Sequence, residues 1–138
     1  MDFEQILLES CERVYEQLGY GLAELVYEKA LKTELRIRGV KCENEVYINL
    51  PYTGSNNEEF FMTSLRMDIV VYLGRNNRRK IILELKTVKS ELKQDDKEYY
   101  QAKRYENLTG AENSYLINFG KRLEVYNLGG EFQNLIAG

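Results

Sequence analysis

Histidine is missing from this chain of 138 residues. That excludes Ser-His-Asp and Cys-His catalysis, and any metal site built on imidazole. Cysteine occurs twice, at Cys11 and Cys42, with no CxxC pair. A zinc knuckle and a thioredoxin motif are therefore excluded. The expected setting is a reducing cytoplasm, with both thiols acting as small buried apolar groups. Proline occurs once, at Pro51, and glycine ten times, so disorder and low-complexity repeats are not expected. The longest apolar run, Ile69 to Leu73, falls far short of the roughly 20 residues of a membrane span. The start, Met1-Asp2-Phe3-Glu4-Gln5, lacks the basic end and apolar block of a signal peptide. The expectation is a cytoplasmic protein without a membrane partner.

What is present suits one globular domain over residues 1–138. Hydrophobic residues make up 43% and charged residues 30%, enough apolar material for one sizeable core. The net charge of −3 excludes a nucleic-acid binder that is basic throughout. The charge is unevenly spread, however. Between Arg75 and Arg104 stand ten Lys or Arg and five Asp or Glu; elsewhere there are nine and seventeen. The basic segment reads either as solvated surface or as one positive face for a polyanion, with Arg78, Arg79, Lys89 and Lys93 as candidate contacts.

Periodicity predicts helices over 2–18 and 21–37, with Gly19 and Gly39 as stops. Strand alternation follows over 46–50, and 51–57 reads as a loop. Residues 60–73 predict one long strand or two short ones, with a hairpin turn at Gly74-Arg75-Asn76-Asn77. Residues 80–88 form another strand, whose Ile81-Ile82-Leu83 start implies burial on both faces. A polar helix over 91–108 and short strands over 114–119 and 123–126 complete the chain. The helix allows a parallel crossover between the 80–88 and 114–119 strands. The expected architecture is α/β, a central mixed β-sheet flanked by helices.

Two acids interrupt the apolar strands: Asp68 before Ile69-Val70-Val71, and Glu84 within Ile81-Ile82-Leu83-Glu84-Leu85-Lys86. Ionised carboxylates in buried strands are costly unless paired or metal-bound. Residues two apart in a strand share a face, so Glu84 and Lys86 point the same way while Leu85 turns into the core. A hairpin around Gly74 brings Asp68 beside Glu84. A divalent cation relieves their repulsion, and oxygen-only ligands favour Mg²⁺ or Mn²⁺ over zinc. Such a cation binds a scissile phosphate, and Lys86 beside it orients water or stabilises developing charge. The plainer alternative is an Asp68–Lys86 or Glu84–Lys86 ion pair at a strand end. Arg66 shares a face with Asp68, as a phosphate contact or as its ion-pair partner.

The helix segment Gly21-Leu22-Ala23-Glu24-Leu25-Val26-Tyr27-Glu28-Lys29-Ala30-Leu31, followed by Arg66-Met67-Asp68-Ile69-Val70-Val71 and Ile82-Leu83-Glu84-Leu85-Lys86, resembles the GxxExxY protein family. That family is placed within the PD-(D/E)XK nuclease superfamily. Gln101-Ala102-Lys103-Arg104-Tyr105 and Ser114 to Gly120 resemble its next helix and strand. The family often carries a histidine near the glutamine; here Tyr99-Tyr100 occupies that stretch.

The resemblance implies a restriction-endonuclease-like core and metal-dependent phosphodiester hydrolysis. It implies Asp68 and Glu84 as metal ligands, with the Leu85 carbonyl as a third, and Lys86 as the catalytic lysine. Glu24 would support the metal shell or position water, Gln101 would contact phosphate or orient the nucleophile, and Tyr105 would stand behind them at the nucleic-acid site. Tyr27 reads as packing and Glu28 as solvent-exposed. The eleven tyrosines offer base stacking, although Tyr47, Tyr72 and Tyr126 read as strand residues at the edge of the core.

The leading expectation is thus a Mg²⁺- or Mn²⁺-dependent nuclease acting on nucleic acid, DNA before RNA. The alternatives are a catalytically weak or inactive nucleic-acid-binding module on the same fold, and a protein-interaction domain that forms a homodimer through a strand edge or the first helix.

Overall fold

A computed structural model describes residues 2–136 of the chain. Helix α1 (Phe3–Leu18) starts where the Asp2 side chain accepts a hydrogen bond from the Gln5 N–H at 2.9 Å, a side-chain N-cap. Leu7, Cys11 and Val14 form its buried stripe. Helix α2 (Glu24–Ile37) starts three residues later than the periodicity predicts. Gly21 has φ +113°, which side-chain-bearing residues avoid, and it holds the chain out of the helix. The buried stripe of α2 is Tyr27, Leu31 and Leu35.

Five strands follow: β1 (Lys41–Thr53), β2 (Glu59–Leu73), β3 (Arg79–Lys86), β4 (Asn113–Phe119) and β5 (Leu123–Asn127). Helix α3 (Lys97–Thr109) connects β3 to β4. The sheet order is β1-β2-β3-β4-β5, antiparallel except for the parallel β3–β4 join, which is the crossover expected. Helices α1 and α2 share one apolar cluster with Ile69, Val71, Leu83 and Leu85. Residues of α3 pack with Val70, Ile82 and Leu116 on the other face. This is the mixed α/β architecture expected. Among the described residues, no helix is long and apolar enough to cross a membrane.

Other element boundaries also differ from the periodicity, and β3 ends at Lys86 rather than at residue 88. Strand β1 extends beyond 46–50 in both directions and takes in Pro51, which stands at a register shift after Leu50. An edge strand tolerates the missing N–H of proline. Helix α3 starts at Lys97, not at residue 91. The Leu92 N–H goes to Glu124 Oε1 (3.2 Å) and the Lys93 N–H to Asp96 Oδ2 (2.9 Å), so side chains take donors that a helix would use. The loop after β3 is also clamped to β4. Asn118 accepts from the Val88 N–H and donates to the Val88 carbonyl, both at 3.0 Å. That carbonyl comes so close to Gly120 that a Cβ there would meet it at 2.1 Å.

The β1–β2 hairpin turns over at one point. Met67 and Ile69 are two apart in β2, yet Met67 packs with Tyr105 of α3 and Ile69 with the α1/α2 cluster. Cys42 and Val46 of β1 divide in the same way. Between them Glu45 has φ +55°, in the left-handed region. Asp68 sits at this corner, where side chains of α2 and α3, from opposite sheet faces, reach the same place.

Candidate functional site

The α2 end of the site is built by its motif. The Tyr27 ring is buried and stacks on Phe119 at 4.9 Å. Its hydroxyl donates to the Gly19 carbonyl (2.6 Å) and accepts from the Leu22 N–H (3.2 Å), fixing the turn ahead of α2. Glu24 is thereby placed at the first position of the helix. Glu28 follows one turn later, on the same side. Glu28 is 2% exposed, which corrects the expectation of a solvated residue. It holds Arg66 bidentately, with Nη1 donating to Oε1 at 3.0 Å and Nη2 to Oε2 at 2.8 Å.

Arg66 also donates to Asp68 Oδ1 at 2.7 Å and lies 3.4 Å from Glu45. It therefore forms the ion pair with Asp68 that was one of the two readings of the sequence. The hydrogen bonds to Glu28, followed by its charge and that of Asp68, hold the guanidinium pKa above its ordinary value despite partial burial. The fork geometry suits this bidentate task.

Asp68 and Glu84 stand where the β2–β3 ladder ends, just past the Ile69–Leu83 pair. Each carboxylate takes up a backbone donor from the other strand's end. The Asp68 N–H donates to Glu84 Oε2 at 3.3 Å, and the Leu85 N–H to Asp68 Oδ2 at 2.8 Å. Glu84 is 4% exposed, and its Oε1 has no hydrogen-bond partner. Burial, then the Asp68 charge, push the Glu84 pKa well above the ordinary carboxylate value. Glu24 is raised for the same two reasons, with Lys86 and Arg66 opposing. Lys86 Nζ lies 3.6 Å from Glu98 Oε1 of α3, so neither of the simple strand-end pairs forms.

From α3 come Gln101 and Tyr105. Tyr105 is 1% exposed, packed with Met67, Val70 and Ile82. Its hydroxyl donates to the Arg66 carbonyl (2.8 Å) and accepts from Gln101 Nε2 (2.6 Å). It stands behind the site as a support and has almost no surface left for a direct nucleic-acid contact. Glu24, Glu28, Arg66, Asp68, Gln101 and Tyr105 together line a cleft of about 610 Å³. Glu84 lies beneath Asp68.

The basic segment is divided between the two ends of β3. Arg78 and Arg79 stand at the start of β3, Lys86 at its end and Lys89 and Lys93 beyond it. Seven strand steps, about 23 Å, separate Arg79 from Lys86. Arg79 is also paired with Glu112 at 2.7 Å. Sequence reading missed Glu28 and the Glu98 partner of Lys86. The i, i+4 spacing of Glu24 and Glu28 was the available signal for the first; nothing local marks the second.

Among the described residues, no group of three or more His, Cys, Asp or Glu side chains forms a metal cage. The donor set instead fits a hard cation that keeps water and substrate ligands, held by one or two carboxylates. The orphaned Glu84 Oε1 beside Asp68 is what such a cation would satisfy.

A mixed sheet with α3 crossing from β3 to β4, and paired acids where β2 and β3 part, define a restriction-endonuclease-like α/β protein. The chain belongs to the PD-(D/E)XK nuclease superfamily, which it matches over residues 1–127. It is similar to the solved structure titled "Crystal structure of SSO0001", with a TM-score of 0.51 and 16% identity, over 96% of this chain and 78% of that one. At that identity the likeness concerns the fold alone. The comparison with curated proteins gives no match.

Proposed function

We propose that this chain, as one nuclease-like domain, hydrolyses phosphodiester bonds in DNA with the help of Mg²⁺ or Mn²⁺. The observation that carries the reading is the Asp68–Glu84 pair, in which Glu84 is buried with one carboxylate oxygen unpartnered. Membership of the nuclease superfamily supports a nucleic-acid substrate. Asp68, Glu84 and the Leu85 carbonyl would hold the cation. The cation would supply Lewis-acid polarisation of the phosphate and a more acidic bound water.

The other roles belong to the chain's own side chains. Lys86, at the mouth of the strand opening, stabilises charge that develops on the phosphate. Glu24 has a raised pKa and lies within reach of the Asp68 and Lys86 charges, which suits it to orient the attacking water. Gln101 contacts the phosphate from the α3 side, held in place by the Tyr105 hydroxyl. Arg66 positions Asp68 from behind while anchored on Glu28.

The test is direct. Labelled single- and double-stranded DNA and RNA are incubated with the protein and Mg²⁺, Mn²⁺ or EDTA. Cleavage of DNA that needs metal and is lost in Glu84→Gln is the expected outcome. Binding without cleavage under any metal overturns the nuclease reading and leaves a nucleic-acid-binding module.

A further inference from the structure

A second groove, of about 340 Å³, adjoins the acidic cleft and shares Leu65, Gln101 and Tyr105 with it. Its remaining walls are Lys97, Tyr100 and Arg104. The two depressions differ in charge. The cleft carries Glu24, Glu28, Glu45 and Asp68, whereas no acid lines the groove. A polyanion is repelled from the cleft unless a cation is bound there, and is attracted along the groove.

The groove follows one side of α3. Lys97 and Arg104 are seven residues apart, two helical turns or about 10 Å. Among the described residues, neither base has an acidic partner, unlike Lys103, which pairs with Glu106, or Arg79. Between them lies Tyr100, 62% exposed, with its ring open to solvent. Its ring meets Tyr99 edge to face, with centroids 5.4 Å apart. Tyr99 in turn packs against the Leu92–Leu116–Tyr126 cluster and so holds Tyr100 in place.

We infer that this groove binds the unpaired strand that leads to the cleft, with a base stacked on Tyr100 and flanking phosphates on Lys97 and Arg104. The choice of unpaired strand follows from the ring. In a duplex the base faces are already stacked on each other, and only an unpaired base can lie on an aromatic platform. Gln101 then stands at the junction, where the strand passes from basic groove to acidic cleft. The inference builds on the nuclease reading and names the form of substrate the site would take.

The experiment measures binding in EDTA, so that no cleavage intervenes, and cleavage separately with Mn²⁺. Fluorescence anisotropy follows a labelled oligo(dT) and a duplex of equal length with the full chain. Tyr100→Ala should weaken oligo(dT) binding about ten-fold and leave duplex binding nearly unchanged, while Tyr100→Phe retains wild-type affinity. Replacing Lys97 and Arg104 together by Ala should lower the salt slope of oligo(dT) binding by roughly 1.4. Arg78→Ala, at the distant hairpin tip, serves as the control and should change little. All four positions are exposed, and circular dichroism confirms that the variants are folded. Unchanged oligo(dT) binding in Tyr100→Ala and the double variant overturns the groove assignment, as does an equal loss on duplex and single strand. Wild type that cleaves with Mn²⁺ while Tyr100→Ala binds normally loses the groove but keeps the nuclease. Wild type that binds in a Tyr100-dependent way and never cleaves keeps the groove and loses the nuclease.

Discussion

Two glutamates of this protein are equally buried and differently treated. Glu124 of β5 is 3% exposed. Its Oε1 accepts from the Leu92 N–H at 3.2 Å and the Tyr126 hydroxyl at 2.6 Å, and its Oε2 from Asn118 Nδ2 at 2.7 Å. Glu84 of β3 accepts one long hydrogen bond, from the Asp68 N–H, and leaves Oε1 without a partner beside another carboxylate. A buried charge without compensation is expensive, and proteins rarely keep one by default. Glu124 builds: it ties the loop after β3 to β4 and β5. Glu84 costs stability in the chain alone, and a cation at that place would offset the cost.

The largest expected effect comes from removing that distinction. Glu84→Gln should abolish divalent-cation binding in a calorimetric Mn²⁺ titration. Single-turnover cleavage should fall by about 10³-fold or more, the scale of losing metal stabilisation of the phosphate. Metal-free stability, read from urea unfolding, should not fall. If Glu84→Gln unfolds as readily as a variant of a fully bonded acid, the two glutamates are alike and the reading of Glu84 is wrong.

Lys86→Ala sharpens the same contrast from the catalytic side. It leaves the oxygen ligands in place and removes a positive charge near the cation. Mn²⁺ affinity should hold or rise while cleavage falls by about 10²-fold. Undiminished cleavage would remove the lysine from the chemistry without touching the metal ligands.

Stability should respond in the opposite order. Arg66→Ala leaves Glu28 buried without its bidentate partner and should cost about 3 kcal/mol in urea unfolding. Glu124→Ala strips an acceptor from three donors and should cost about 2 kcal/mol. Both losses should exceed that of Glu84→Gln, although Arg66 acts only by positioning Asp68 and Glu124 lies outside the cleft.

The smallest effect is in pH. The folded Glu84 has a pKa above its unfolded value, so the native state binds the extra proton in the interval between them. Stability of the metal-free protein should therefore decline as pH rises from the ordinary carboxylate value toward the raised one. Glu84→Gln should flatten that decline. Added Mn²⁺ should reverse the slope, because the cation binds the ionised form. A metal-free profile identical in wild type and Glu84→Gln would show that Glu84 titrates normally.

Particular residues show how far the chain could be read before its fold was seen. The hairpin around Gly74 and the period-2 alternation of its strands were enough to place Asp68 beside Glu84, with Leu85 in the core. Tyr27 was legible as packing, although the apolar stripe that spacing suggested for α2 ran through Leu22, Leu25 and Val26, which the fold leaves exposed. Glu28 was not. It is charged and looks like a helix-surface residue, and the partner that justifies its burial lies 38 residues away. The start of α3 was misread for a similar reason: Glu124, 32 residues further on, takes the Leu92 N–H out of any helix ladder.

The sequence by itself determined the order of helices and strands, the mixed sheet and the acidic pair at a strand end, because these rest on spacing over a few residues. The tertiary structure alone decided the rest. The turn-over of the β1–β2 hairpin at Glu45 and Asp68 brings α2 and α3 to one cleft from opposite faces. The length of β3 splits the basic segment into two distant ends. Arg66 becomes an internal anchor, and Lys97, Tyr100 and Arg104 are left along an open groove. Each outcome depends on which distant groups meet after folding. Burial and pairing energies are fixed by those meetings, not by the local pattern that precedes them.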